Sequence, residues 1–248
     1  MKTILITGCS SGFGLEIARY FLERDWSVIA TMRTPRADVL PASDKLRIIP
    51  LDVTNEDSIH RAVADAGDID VLVNNAGIGL LNAAEGTSIE NMRDIFETNT
   101  IGTMAMIHAT LPRMRARGSG VIVNVTSSVT YKPLPLLAVY RASKSAVNAF
   151  SESLAVEVEQ FGIRVRVVLP GRSPETAFAD NAQARLAAIP DAYGPLAQNV
   201  FAELTQADGP VTHATDVAEA VWQAVNDPAG LMNIPAGADA VEWAKARQ

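Results

Sequence analysis

Tyr140 and Lys144 lie four residues apart near the start of a stretch whose apolar spacing predicts a helix, so their side chains share one face. A phenol has a pKa of about 10 and is a poor acid–base group at neutral pH. A neighbouring ammonium favours the phenolate and lowers that pKa. The pair could then transfer a proton to or from a carbonyl or alcohol oxygen. Taken alone, the same spacing also describes an ordinary surface pair.

A hydroxyl group follows one of the predicted strands. Ser127 comes directly after the apolar run Gly120–Thr126, so it emerges at the carboxyl end of that strand. Its hydroxyl could donate a hydrogen bond to a substrate oxygen on which negative charge develops. On chemistry alone, Ser128 and Thr126 are alternatives.

A short polar turn follows a second predicted strand, Asp70–Asn74. The turn continues with Asn75, Ala76 and Gly77. Asn75 could form hydrogen bonds with neighbouring backbone, and Gly77, which has no side chain, could let a cofactor approach. The alternative is that the two asparagines, Asn74 and Asn75, simply form a turn.

A glycine-rich loop joins the first predicted strand to a helix, with Gly8, Gly12 and Gly14 at its turns and Phe13 between the last two. Gly8 permits a tight turn, Gly12 lets backbone approach a pyrophosphate, and Gly14 allows close helix–strand packing. The helix N-terminus then offers free N–H groups to the phosphates. The strand before and the helix after favour dinucleotide binding over a plain turn.

The end of the second predicted strand indicates which dinucleotide binds. An NAD site normally has Asp or Glu there to bond the ribose hydroxyls. Here the strand end carries no carboxylate and is followed by Arg33. A guanidinium suits a 2′-phosphate, so we expect NADP(H); the alternative is a solvated surface arginine.

Apolar runs alternate with amphipathic stretches along the chain. Runs without polar alternation are typical of parallel strands covered on both faces, and they predict strands at Thr3–Thr7, Ser27–Met32, Leu46–Leu51, Asp70–Asn74, Gly120–Thr126 and Arg164–Leu169. Helices are predicted at Leu15–Arg24, Glu56–Asp65, Ile89–Arg117 (whole or broken), Val139–Phe161 and Asp216–Asn226. This alternation predicts one α/β domain, residues 1–248, with a doubly wound Rossmann-type parallel sheet and helices on both faces.

Single residues indicate some of the helix ends. Asn55 and Thr215 are predicted N-caps, and Gly162 leaves room for a C-cap. Near the carboxyl end, Ile234–Asp239 is typical of a strand end and Ala240–Arg247 of a short helix.

Residues 172–213 contain no strand pattern and four prolines. Long irregular segments of this kind are usually lids or binding loops. Because the segment follows the carboxyl end of a strand, we favour a substrate lid over a plain surface excursion.

Composition excludes several classes. The chain has 248 residues, of which 48% are hydrophobic and 20% charged, which is typical of a folded domain and not of disorder. Cys9 is its single cysteine, so neither a disulfide framework nor a thiolate metal site is expected, and three scattered histidines do not suggest a metal site. A net charge of −7 without a basic block argues against nucleic acid and membrane partners. No apolar run approaches the roughly 20 residues of a membrane helix, so we expect a soluble, cytoplasmic protein.

Taken together, the motifs resemble the short-chain dehydrogenase/reductase family from Thr3 to about Gly171. The shared elements are the glycine loop, Asn74-Asn75-Ala76-Gly77, Asn99, Ser127, Tyr140 with Lys144, and Pro170-Gly171, in the family's order and spacing. The glycine loop and the residues around Arg33 are most similar to the branch that contains 17β-hydroxysteroid dehydrogenase type 1.

The resemblance implies roles for individual residues. It selects Ser127 over Ser128 as the catalytic serine, thirteen residues before the tyrosine, and has Asn99 hold a water in a proton relay with Lys144. It places Arg33 with Ser10 or Ser11 on the NADP phosphate, and Asp52, followed by Val53, at the adenine. Cofactor contacts are also implied for Tyr140, Lys144, Gly8, Gly12, Phe13, Gly14, Asn75, Ala76, Gly77, Pro170, Gly171 and Thr176.

One segment departs from the family pattern. Between Pro170-Gly171 and Thr176 the chain has one residue more than the family, namely Arg172, Ser173, Pro174 and Glu175 where three are usual. The path of this loop and the role of Thr176 at the nicotinamide therefore stay open, as does the role of Arg172.

These observations predict an NADP(H)-dependent reductase of a ketone or aldehyde, reversible, with Tyr140 as the acid–base group. Candidate pocket residues are mostly apolar, which favours an apolar substrate; they are Leu80, Leu81, Leu134, Leu136, Leu137, Phe178 and Tyr193, and about half are expected to be core instead. The alternatives are a non-catalytic NADPH-binding regulator and a nucleotide-sugar epimerase or dehydratase. The resemblance also implies a homodimer or homotetramer through helices Ile89–Arg117 and Val139–Phe161.

Overall fold

The structure, a computed structural model, describes residues 1–176, 189–205 and 209–246. Its strands are β1 (Thr3–Ile6), β2 (Ser27–Met32), β3 (Leu46–Pro50), β4 (Val71–Asn74), β5 (Gly120–Val125), β6 (Ile163–Pro170) and β7 (Asn233–Ala236). They form one sheet in the order β3-β2-β1-β4-β5-β6-β7, and every neighbouring pair is parallel. The predicted doubly wound α/β fold is confirmed.

Helices connect the strands. They are α1 (Gly12–Leu22), α2 (Glu56–Ala66), α3 (Ile89–Phe96), α4 (Gly102–Arg117), α5 (Ala138–Val158), α6 (Gly194–Thr205), α7 (Ala214–Asn226) and α8 (Ala238–Lys245). A π-helix, Glu97–Ile101, links α3 to α4, and short 3₁₀ turns lie at Ser128–Thr130, Glu159–Phe161 and Asp191–Tyr193. The predicted helix 89–117 is thus broken once, at the π-turn.

Two apolar cores cover the two faces of the sheet. Successive strand residues point to opposite faces, so Ile4 and Ile6 join one core while Leu5 joins the other. The first core packs against α1 and α7, and the second against α2, α4 and α5. Burial on both faces explains why the strands carry continuous apolar runs.

Most predicted boundaries are within two residues of the observed ones, and two helix starts are corrected. α1 begins at Gly12 rather than Leu15, so the last two glycines of the loop lie within the first turn of the helix. Thr215 is not an N-cap: α7 begins at Ala214, and the Asp216 carboxylate accepts a 2.8 Å hydrogen bond from the N–H of His213, which caps the helix.

The other predicted caps are confirmed. The Asn55 side chain accepts a 2.8 Å hydrogen bond from the N–H of Ser58 in the first turn of α2. Gly162 ends the helical stretch before β6 with a left-handed φ of 67°.

The described parts of residues 171–213 contain one 3₁₀ turn and α6 but no strand. No helix in the part of the chain that the structure describes is both long and apolar enough to cross a membrane.

Candidate active site

The site lies at the carboxyl edge of the sheet, where the strand order reverses. The chain runs outward from β1 to β2 and β3 and then returns to β4, which lies on the other side of β1. The loops that follow β1 and β4 therefore diverge and leave a crevice between them, which is where open α/β sheets bind ligands.

Helix α5 brings the tyrosine and the lysine to this edge. It begins at Ala138, so Tyr140 and Lys144 lie in its first two turns, and both side chains are buried to 6% exposure. Tyr140 is hydrogen bonded to the side chain of Ser127, which follows β5. This contact distinguishes Ser127 from the two neighbouring hydroxyls, Thr126 and Ser128.

Burial governs the ionisation of both groups. It raises the pKa of the Tyr140 phenol above its ordinary value, and the hydrogen bond with Ser127 acts in the opposite direction. Burial also lowers the pKa of Lys144 from 10.5 to about 8. The spacing predicts that Lys144 lowers the pKa of Tyr140, but Lys144 is not among the causes that act on this pKa. The lysine Nζ instead donates a hydrogen bond to the carbonyl of Val125 at 3.1 Å. Tyr140 is therefore a protonated acid at neutral pH.

Asn99 lies in the π-helix and is 1% exposed. Its Oδ1 accepts a 2.8 Å hydrogen bond from the N–H of Ile78, and its Nδ2 donates to the Ile78 carbonyl at 3.0 Å. A π-turn inserts an extra residue into a helix and is frequent at functional sites. A Cβ on Gly77 would lie 3.1 Å from the Asn99 Oδ1 and 3.3 Å from the Lys144 Nζ. Three of the predicted site residues, Gly77, Asn99 and Lys144, therefore lie close together.

Ser143 is a part of this group that sequence reasoning missed. It is fully buried, accepts a 3.1 Å hydrogen bond from the Asn99 Nδ2, and donates to the Tyr140 carbonyl at 2.7 Å. Its position within the predicted helix, one residue before Lys144, was the only signal available. Ser143 thus joins the π-helix to the turn of α5 that carries the tyrosine.

The glycine loop and the turn after β4 are held against each other. Asn75 donates from Nδ2 to the carbonyls of Thr7 and Gly8 at 3.0 and 3.2 Å. The Thr7 hydroxyl, which the sequence did not single out, accepts from the N–H groups of Asn75 and Ala76 at 3.0 and 2.9 Å. Gly8 has a φ of 75°, and a Cβ there would press on the Ala76 backbone, so the close approach requires glycine.

The N-terminus of α1 is free to meet an anion. Ser11 is its N-cap in an extended conformation and makes no side-chain cap, and the first turn holds no acidic residue. Gly12, Phe13 and Gly14 form that turn, which presents N–H groups and the positive end of the helix dipole. Arg36, which the sequence analysis did not consider, donates to the carbonyl of Ser10 at 2.7 Å and lies at the rim of the same loop.

Arg33 and Asp52 follow the neighbouring strands β2 and β3. Arg33 is exposed. Burial raises the pKa of the Asp52 carboxyl, but hydrogen bonds from the Thr54 N–H and hydroxyl, with the charge of Arg33, lower it on balance. Because β2 and β3 are paired parallel strands, these two predicted adenosine contacts follow adjacent strands at the same edge of the sheet. Val53 is half-buried and packs against Gly102 and the second core.

The loop after β6 accommodates its additional residue in a turn. Thr176 donates from its N–H and its hydroxyl to the carbonyl of Ser173, at 3.3 and 2.9 Å. Its methyl group would lie 3.6 Å from a Cβ on Gly12. Despite the longer loop, Thr176 therefore reaches the glycine loop across from α1.

Three predicted pocket residues gather in one small apolar cluster. Leu136 is buried there with Ala83 and Ala197, and Leu81 and Tyr193 pack against it with Ile189, Val200 and Phe201. Leu80 is buried, and Leu134 and Leu137 are half-buried, but none of the three belongs to this cluster. Phe178 lies outside the described residues.

Comparisons with known proteins identify relatives of this chain. The short chain dehydrogenase family matches residues 2–187. Retinol dehydrogenase 8 of Bos taurus is 39% identical over 184 residues, which cover 68% of this chain and 58% of that protein. The 3-ketodihydrosphingosine reductase of Bacteroides thetaiotaomicron is 40% identical over 184 residues, 73% of this chain and 66% of that protein. The matched region thus spans less than two thirds of either relative.

A solved structure shares the fold over nearly the whole chain. A short chain dehydrogenase from Burkholderia cenocepacia in complex with NADP superposes with a TM-score of 0.79 at 27% identity, covering 99% of this chain and 94% of that one.

Proposed function

The chain belongs to the short-chain dehydrogenase family, and from this premise we propose that it is an NADP(H)-dependent oxidoreductase that interconverts a carbonyl compound and its alcohol. The observation that carries the proposal is the hydrogen bond between the buried side chains of Ser127 and Tyr140 at the sheet edge, one helical turn from Lys144. A protein that only bound a dinucleotide would have no chemical need for this group.

The residues at the crevice fit a phosphorylated dinucleotide. The glycine loop and the uncapped N-terminus of α1 suit the pyrophosphate. Arg33, with Ser10 or Ser11 beside it, would hold the 2′-phosphate, and Asp52 and Val53 would face the adenine. Asn75, Ala76 and Gly77 border the middle of the crevice, and Pro170, Gly171 and Thr176 border the nicotinamide half. NADP in the related Burkholderia structure supports the same choice.

When bound, the cofactor supplies or accepts the hydride. The chain's own residues manage the oxygen of the substrate. The Ser127 hydroxyl orients the carbonyl oxygen, and Tyr140, whose raised pKa keeps it protonated, donates its phenolic proton to that oxygen. Lys144 would bind the nicotinamide ribose and lower the tyrosine pKa once the site is filled. Asn99 would hold a water that returns the proton through Lys144.

We further propose an apolar substrate. The cluster of Leu81, Leu136, Tyr193 and their neighbours supplies an apolar wall within the described residues. Segment 172–213, of which 177–188 and 206–208 lie outside the described residues, contributes Tyr193 to this cluster and would act as a substrate lid over the side formed by Leu81 and Leu136. Two named relatives, a retinol dehydrogenase and a ketosphingosine reductase, support this substrate class. The glycine loop and Arg33 support placement near the 17β-hydroxysteroid dehydrogenase type 1 branch.

The proposal includes a homodimer or homotetramer formed through α4 and α5. Val156 on α5 is 76% exposed and Ile101, just before α4, is 47% exposed, although Leu154 and Val158 on α5 are buried. Exposed apolar side chains on these helices favour burial against a second copy.

The test is consumption of NADPH by the purified protein over a panel of aryl, steroid-like and long-chain ketones and aldehydes, with NADH in parallel. Turnover with NADPH well above that with NADH supports the proposal. NADPH binding without turnover of any carbonyl compound, in either direction, would favour a binding protein instead.

A further inference from the structure

Asp239 is a buried carboxylate outside the proposed catalytic group. It lies in the first turn of α8 and is 4% exposed. Its Oδ2 accepts a 2.6 Å hydrogen bond from the N–H of Arg172, and its Oδ1 accepts one of 2.7 Å from the hydroxyl of Thr212. A buried carboxylate is costly unless its oxygens are paired, so these two bonds are what permit an acid here.

Thr212 extends the contact to the adjacent backbone. Its side chain is fully buried, and its Oγ1 accepts a 2.9 Å hydrogen bond from the N–H of Gly171 and also lies 2.9 Å from the Ala236 carbonyl. Its own N–H donates to the Arg172 carbonyl at 2.8 Å. Asp239 therefore holds Arg172 directly and Gly171 through Thr212.

Gly171 leaves no space between this backbone and the acid. A Cβ at that position would overlap both carboxylate oxygens of Asp239. The carboxylate thus fixes the path of the chain at Gly171 by contact as well as by hydrogen bonds.

The backbone that Asp239 holds lies next to the catalytic hydroxyl. Gly171 follows Pro170, the last residue of β6, and β6 pairs with β5. The N–H of Thr126, the residue before Ser127, donates to the Val168 carbonyl at 2.8 Å. The loop that follows β5, with Ser127, and the loop that follows β6, with Gly171, therefore leave the sheet side by side at the crevice.

We propose that Asp239 is a positioning residue for the nicotinamide half of the cofactor site, acting through the backbone of Gly171 and Arg172. The inference rests on the proposed function, which places Pro170 and Gly171 at that half. Asp239 makes contacts with residues 27 and 67 positions away in the sequence, so it sets the geometry of a loop to which it is not adjacent in the chain.

The test compares two ligands that differ by the nicotinamide end. NADPH spans the whole site, whereas 2′-phospho-ADP-ribose lacks the nicotinamide ring. Dissociation constants for both are measured by calorimetric titration of the wild type, Asp239→Ala and Asp239→Asn. We expect Asp239→Ala to weaken NADPH binding about tenfold or more and to change binding of the ring-free ligand by less than about twofold. Asp239→Asn, which keeps the shape and one acceptor oxygen, should fall between.

Glu242→Gln is the matched control, because it removes an exposed carboxylate from the same helix. It should leave both constants unchanged. If Asp239→Ala only loosens the packing, the binding of both ligands weakens equally. If Asp239 has no influence on the cofactor site, the binding of neither ligand weakens. Either result overturns the inference.

Thr212→Val provides a second route if Asp239→Ala does not fold. It removes the hydroxyl between Asp239 and Gly171 and should also weaken the binding of NADPH more than that of 2′-phospho-ADP-ribose. Thr212→Ser, which keeps the hydroxyl, should restore the wild-type ratio of the two dissociation constants. Equal effects of Thr212→Val on both ligands contradict the inference. A wild type that binds neither ligand overturns the proposed function itself, whereas binding of both with an unchanged ratio in every variant overturns only this inference.

Discussion

The amide of Asn99 donates a 3.1 Å hydrogen bond to the hydroxyl of Ser143, and Ser143 in turn donates to the Tyr140 carbonyl. The π-helix between α3 and α4 is thereby linked to the first turn of α5. Because the side chain of Asn99 also pairs with both backbone groups of Ile78, one amide sets the positions of three chain segments around the crevice.

Replacing Ser143 with alanine should loosen this link without touching a reacting group. We expect Ser143→Ala to lower the free energy of unfolding by about 1 kcal/mol, since one buried hydroxyl and its partners lose their bonds. It should lower kcat several-fold with little change in the KM for NADPH. Chemical denaturation and steady-state rates check both parts, with Ser145→Ala on the same helix as control. An unchanged kcat would show that the link is structural only.

Tyr140→Phe should abolish proton transfer while the fold remains. We expect kcat to fall about 100-fold or more, because general acid–base catalysis typically contributes that much. Binding of NADPH should persist. Steady-state rates and a thermal melt make the comparison, and Tyr20→Phe, in the aromatic cluster beside Trp222, is the control. A variant that kept most of its rate would exclude Tyr140 as the acid.

Arg33→Ala should reduce the preference for NADPH over NADH. A charge-assisted hydrogen bond to a phosphate is worth about 1.5–3 kcal/mol, so the ratio of kcat/KM values should fall about tenfold or more. The KM for NADH should change little. Arg61→Ala, at an exposed position on α2, is the control. If the wild type already has equal kcat/KM values for NADH and NADPH, Arg33 does not select for the 2′-phosphate of NADPH.

Lys144 predicts a specific pH dependence of stability. Its pKa in the folded chain is about 8, below its ordinary value of 10.5. Between these values the unfolded chain binds more protons than the folded one, so this group makes the protein more stable as the pH rises from about 8 towards 10, by up to about 1.4 kcal/mol per pH unit. Below pH 8 both states are protonated and its contribution is constant.

The measurement is the free energy of unfolding of the wild type minus that of Lys144→Met, taken from pH 6 to 10. The subtraction cancels the opposite effects of Cys9 and Tyr140, whose pKa values are raised by burial. A difference that stays flat above pH 8 would show that the lysine titrates normally.

Leu136 predicts an inverted order of substitutions. Its backbone has a φ of 62°, a left-handed conformation that residues other than glycine rarely adopt. The N–H of Asn82 donates a hydrogen bond to its carbonyl at 2.8 Å. Leu136→Gly should therefore be more stable than Leu136→Ala by about 0.5–1 kcal/mol, although both lose apolar contacts. Leu154, buried in α5, is the control, where alanine should be the more stable replacement. The usual order at both positions would contradict the strain.

Local patterns predict most of this fold. Continuous Val, Ile and Leu runs mark buried parallel strands, and Gly8 to Gly14 marks the turn into α1. β7 is harder to predict, because it has only four residues, includes Pro235 and alternates buried with half-buried positions. The sequence indicates only a strand end at Ile234–Asp239. The hydroxyl of Thr215 predicts a cap, since Ser and Thr are usual N-cap residues, but the Asp216 carboxylate caps the helix from within it.

The site was predictable where its residues lie in short motifs. Tyr140 and Lys144 are one turn apart, so their proximity follows from the helix. Ser143 and Asp239 were not predictable in the same way, since their partners lie 44 and 67 residues away. The tyrosine pKa also could not be inferred from the nearby ammonium, because burial, which only the fold determines, raises it and the opposing influence comes from the hydrogen bond with Ser127.

The hydrogen bond from Thr212 to Arg172 brings together the two ends of the stretch between them, so that this stretch begins and ends at a single point of the domain. The free-energy cost of closing a longer stretch grows only slowly with its length. Insertions, deletions or exchanges between residues 177 and 211, which spare Thr176 beside the glycine loop, should thus leave the sheet and the crevice intact. The chain offers a natural junction at which the part facing the substrate can be exchanged with that of a relative while the catalytic residues stay in place.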